Sequence, residues 1–149
     1  MEIDLSGIAT AITVLFVALQ LRQGNLIHRT NYEDALDAQY RELVMIIPVD
    51  VMLGKSEELC AATREAIYNY FDLSNEQVFQ NKKGRISKDV WKDWQSGMRQ
   101  NMGKPGFLKV WNEVIDHDPN TFTYLYEMID KDPTRFWQST SKQTGTGVA

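Results

Sequence analysis

With two histidines and one cysteine among 149 residues, few side chains could carry nucleophilic or metal chemistry. His117 lies in Asp116-His117-Asp118, and Asp130 and Asp132 recur fourteen residues later. Such a grouping offers ligands for a weak cation site, or the partners of a general acid–base pair. The same acids also serve as helix caps and solvated helix ends, and that is the expected role here. His28 is remote in sequence from any second ligand, so no zinc-type set of four is in prospect. Cys60 is alone and is expected as a small core residue; no internal disulfide is possible. Gly103-Lys104-Pro105-Gly106 holds a Gly-Lys pair, but the proline removes a backbone donor that a phosphate cradle needs. Nucleotide-loop and nucleophile-elbow motifs are missing. No catalytic residue, metal ligand or cofactor is therefore expected. An enzyme working through Asp116, His117 and Asp118 is the competing class.

Charge is more informative than chemistry. The chain carries a net −4, which argues against a general nucleic-acid binder. Residues 31–76 hold ten acids and three bases, whereas Phe79–Lys109 holds eight bases against Asp89 and Asp93. The candidate basic surface is Lys82, Lys83, Arg85, Lys88, Lys92, Arg99 and Lys104. It is suited to anionic lipid headgroups or an acidic partner, and equally to the acidic half of its own domain.

Three of the four tryptophans stand between Arg85 and Trp111, largely within that stretch. Trp91, Trp94 and Met98 fall at i, i+3 and i+7, one face of a helix, and Phe107 and Trp111 belong to the next. Large rings at helical spacing are expected as structural core. Lys88, Lys92 and Arg99 lie mostly on the reverse side.

The elements that must position these residues begin with LSGIATAITVLFVALQL, seventeen residues from Leu5 to Leu21 without a charge. As a helix it spans roughly 26 Å, against about 30 Å of hydrocarbon in a bilayer, and its apolar residues surround the whole circumference. Glu2 and Asp4 precede it, where a secretory leader would be basic. Arg22, His28 and Arg29 follow it. Residues 1–24 are thus expected to be a single transmembrane anchor, with the N-terminus outside and the remainder cytoplasmic. Gly7, Ala11 and Ala18 share one face and are a candidate helix–helix interface, with another membrane protein or a second copy.

Residues 25–137 read as a helical domain. An amphipathic helix carries Tyr32, Leu36, Tyr40, Leu43 and Ile47 and stops at Pro48. Ser56 is the expected cap of a second helix, whose stripe is Leu59, Thr63, Ala66, Ile67, Tyr70 and Phe71. Ser87 is expected to cap a third, ending near Met102. Pro105, Pro119 and Pro133 are each fourteen residues apart, as first-turn prolines of short helices, with Asp118 and Asp132 as caps. No convincing period-two segment exists. The fold expected is all-α: the membrane helix, then a compact bundle of five or six helices. Residues 138–149, rich in Ser, Thr and Gly, are expected to be a disordered tail.

The anchor ending in LQLRQ, the helix reaching YNYFD, and the motifs GRISKDVWKDW and KPGFLKVW together resemble a family of small bacterial proteins of unknown function. The resemblance covers most of residues 5–115. It implies one N-terminal membrane helix, a helical cytoplasmic domain and a bacterial inner-membrane location, and it supplies no catalytic residues. The function expected is a membrane-anchored interaction module, an accessory or regulatory subunit of a membrane assembly. A peripheral sensor of anionic lipid is the alternative.

Overall fold

The computed structural model describes residues 5–130, with side-chain surroundings from residue 12 to 129. The described chain is all-α, as expected: α1 Leu5–Ile46, α2 Val49–Met52, α3 Ala61–Lys82, α4 Lys88–Met102, α5 Pro105–His117 and α6 Thr123–Asp130. The expected tail and the Pro133 block lie outside the described residues.

α1 runs 42 residues without interruption, roughly 63 Å. Gly24 and Asn25 do not break it, and a Cβ at Gly24 would meet nothing within 4 Å. Pro48 ends it, because a ring there cannot donate into the helix and disfavours helical geometry in the residue before. The C-terminal half packs on α3 through Leu36, Tyr40 and Leu43. The N-terminal half projects from the domain.

Among the described residues no helix is long and apolar enough to cross a membrane. The anchor expected over 1–24 therefore gains no support from these elements. Residues 1–4 lie outside the description, as do the surroundings of Gly7 and Ala11; Ala18 is exposed.

α3 is the hub, packed against α1, α5 and α6. Its stripe is as expected: Thr63, Ala66, Ile67, Tyr70 and Phe71 are buried, and Leu59 packs against them from the segment before the helix. Phe71 meets the Trp111 ring edge-on at 5.2 Å, and Tyr70 meets Phe107 at 5.3 Å, the perpendicular geometry that ring quadrupoles favour. Met98, Phe107 and Trp111 are core, as the spacing predicts. Trp91 and Trp94 are only half-buried and pack at the core's margin. α5 lies close to α2: a Cβ on Gly106 would come within 2.9 Å of the Val51 side chain.

Two helix starts differ from expectation. α3 begins at Ala61 with Cys60 as its cap residue, not at Ser56, whose hydroxyl accepts from the Glu58 N–H in a local turn. Cys60 is exposed rather than core, because the cap position faces solvent. Asp118 caps a turn and not a helix: its carboxylate accepts from the Asn120 N–H and the Thr121 hydroxyl. The helix starts only at Thr123, after Phe122, which adopts a left-handed φ of 58°. That conformation is unfavourable for a side chain with a Cβ. It sends the Phe122 ring inward to stack on Trp111 and tilt against Tyr68, and that burial offsets the strain.

Candidate functional site

Several residues of the expected basic surface have partners within the domain. Lys82, on the last turn of α3, pairs with Glu127 of α6 at 2.7 Å and sits 4.9 Å from the Tyr124 ring centre. Its role is to tie α6 to α3. Lys83 lies over the Phe79 ring, and Arg85 donates to the Gln80 amide oxygen at 3.0 Å. Lys104, at the far end of α4, donates to Asn101, and burial lowers its pKa. Lys88 and Lys92 are exposed and Arg99 half-buried. The carboxylate that Lys82 meets, Glu127, belongs to α6 and not to the acidic residues 31–76.

The structure does bring Arg85 together with basic residues that the charge pattern assigned to another part of the chain. Asn25, His28, Arg29 and Tyr32 occupy one face of α1 at i, i+3, i+4 and i+7. The turn after α3 places Gly84 and Arg85 against that face, enclosing an open recess of about 450 Å³. Two guanidiniums and an imidazole line it, with no carboxylate among the lining residues. Carboxylates border it: Glu33 lies 4.0 Å from Arg29, and Glu76 accepts from the Tyr32 hydroxyl at 3.5 Å. Burial and the Glu76 charge raise the Tyr32 pKa, so its phenol stays a neutral donor. The recess suits an oxyanion such as a phosphate, which two guanidiniums recognise well.

This recess sits where the exposed part of α1 joins the domain. Along that part, Ile12, Val14, Leu15, Phe16, Val17, Leu19 and Leu21 are each 46–65% exposed. They cover all sides of the helix, unlike the single stripe between Tyr32 and Leu43. Apolar surface of this extent is normally covered by something in the folded state's surroundings.

Asp116, His117 and Asp118 are all exposed at the end of α5. Asp118 has a lowered pKa because the Asn120 backbone N–H and the Thr121 hydroxyl stabilise its charge. Among the described residues no group of three or more His, Cys, Asp or Glu side chains is placed to hold a metal ion. Comparison with known proteins gave no match to a family model, to a curated protein or to a solved structure.

Proposed function

We propose that the protein is a membrane-associated helical interaction module, held at a bilayer by the apolar half of α1. The observation that carries the reading is the seven large apolar side chains of residues 12–21, exposed on every side of a helix that continues into the domain. No helix among the described residues is long and apolar enough to cross a membrane, and the reading rests on the charge-free run from Leu5 to Leu21 together with its exposure. The basic recess stands about two turns beyond Leu21, at the depth where headgroup phosphates would meet Arg29 and Arg85. The same geometry favours the second reading, a sensor of anionic lipid, as a component of the first. The partner is another protein of the same bacterial inner membrane, or a second copy, with the helical domain in the cytoplasm and an accessory or regulatory role.

The test is flotation of the full chain with lipid vesicles, followed by recovery from cells in mild detergent and mass spectrometry of what comes with it. Full-length protein floating with vesicles, and Phe16→Glu with Leu19→Glu remaining at the bottom, is the expected result. Full-length protein that stays unassociated with vesicles, as a monomer without detergent, would sink the proposal.

A further inference from the structure

A second cavity, of about 300 Å³, lies between α1, α3 and α4 on the flank of the domain. Its walls carry three rings, Tyr40, Tyr70 and Trp94, and two carboxylates, Asp37 and Asp93. No Lys, Arg or His is among its lining residues. The rings are held in place. Trp94 Nε1 donates to Asp37 Oδ1 at 2.8 Å, joining α4 to α1. Asn101 Nδ2 donates to the Tyr70 hydroxyl at 3.2 Å, and burial raises the Tyr70 pKa to about 12, so the phenol remains neutral. Tyr40 and Tyr70 meet at 56° with centroids 6.1 Å apart, making a corner rather than a closed stack.

Gly97 shows that the space is kept open. It stands in the interior of α4, where glycine costs roughly 1 kcal/mol relative to alanine. Glycines tolerated in helices often permit a close approach, as Gly106 does in the first turn of α5. At Gly97 a Cβ would meet nothing within 4 Å, and the residue lines the cavity. A side chain at this position would extend into open space at the cavity's wall.

Rings plus carboxylates without a basic group fix the charge of the occupant. An anion is repelled by Asp37 and Asp93. A neutral apolar molecule would strip water from both carboxylates and return no hydrogen bond or charge. A cation satisfies both features, lying against ring faces and pairing with the acids. We infer that this cavity binds a small organic cation, an alkylammonium or methylated ammonium group. The inference is independent of any association with membranes. The ammonium can come from a free small molecule or from a lysine side chain of a partner.

The experiment uses the full ¹⁵N-labelled chain in a non-ionic detergent and follows the Trp94 indole N–H resonance. Choline and Nα-acetyl-lysine methylamide are titrated in, with 3,3-dimethylbutanol as the neutral carbon isostere of choline. At least one of the cations is expected to shift the resonance saturably, with the isostere at least about tenfold weaker. Preference for choline places the source in a small molecule, and preference for the lysine amide places it on a partner protein. Asp93→Asn, at an exposed position that leaves the fold intact, is expected to weaken the cation about fivefold or more while leaving the isostere unchanged. Gly97→Leu is expected to abolish the shift with the Trp111 indole resonance unmoved. No saturable response to either cation, an equal response to the isostere, or full affinity in Asp93→Asn overturns the inference.

Discussion

Asn75 caps a helix that starts 48 residues after it: its Oδ1 accepts the backbone N–H of Tyr124 at 2.9 Å and of Leu125 at 3.1 Å. These are the second and third residues of α6, whose N–H groups have no partner within their own helix. A side chain from the hub helix thus does what a local cap ordinarily does. Asn75→Ala is expected to cost about 1–2 kcal/mol by denaturant titration, with faster amide exchange at Tyr124 and Leu125. Asn75→Asp keeps the acceptor and should retain most of the stability. Unchanged exchange at those two amides in Asn75→Ala would show that the cap does not hold α6.

The contrast between Asn75 and Asp118 shows what the chain makes legible. Periodicity and proline act within a few residues, so α4 starting after Ser87, α5 starting at Pro105 and the stripe of α3 are readable directly. Caps supplied from elsewhere are not. The Ser87 N–H is satisfied by Glu33 of α1, just as α6 is satisfied by Asn75, and no local pattern announces either. The same holds for the sites. Arg85 was visible as part of a basic run, but its association with His28 and Arg29 depends on how α1 crosses the turn after α3. Trp94 was legible as a ring on an apolar face, while its carboxylate partner lies on a helix 57 residues away.

That Trp94–Asp37 bond supports the second prediction. The ring is half-buried, so removing the acceptor strands an indole N–H with limited access to water. Asp37→Ala is expected to destabilise by about 1–2 kcal/mol, and Asp37→Asn by less, since its amide oxygen still accepts. Upfield movement of the Trp94 indole proton in Asp37→Ala, with Trp111 unmoved, is the accompanying signature. Equal stability of both variants and wild type would mean that water replaces the carboxylate at no cost.

Asp118 provides a pH dependence whose direction is fixed. Its folded pKa is lowered, first by the Asn120 N–H and then by the Thr121 hydroxyl. A depressed carboxyl pKa contributes stability above the ordinary value of 3.8, and that contribution is lost as pH falls through the lowered folded value. The Asn120 amide shift, followed by NMR, should titrate below 3.8, and Asp118→Asn should abolish that titration. A midpoint at or above 3.8 would contradict the turn's hydrogen bonding.

Cys60 gives the last prediction, and it concerns reactivity. Its thiol is exposed at the start of α3, 3.2 Å from the Thr63 hydroxyl. Hydrogen bonds from Thr63, first its hydroxyl and then its backbone N–H, stabilise the thiolate and lower the pKa below the ordinary 9.0. Because the thiolate is the nucleophile, the pH midpoint of alkylation by iodoacetamide reads that pKa directly. The expected midpoint lies below 9.0 in the wild type and moves upward in Thr63→Val. Thr63 is buried, so the isosteric valine is preferred to alanine to avoid opening a cavity beside the thiol. Thr63→Val removes only the hydroxyl bond, so an intermediate midpoint separates the side-chain contribution from the backbone one. A wild-type midpoint at or above 9.0 would show that neither bond persists in solution.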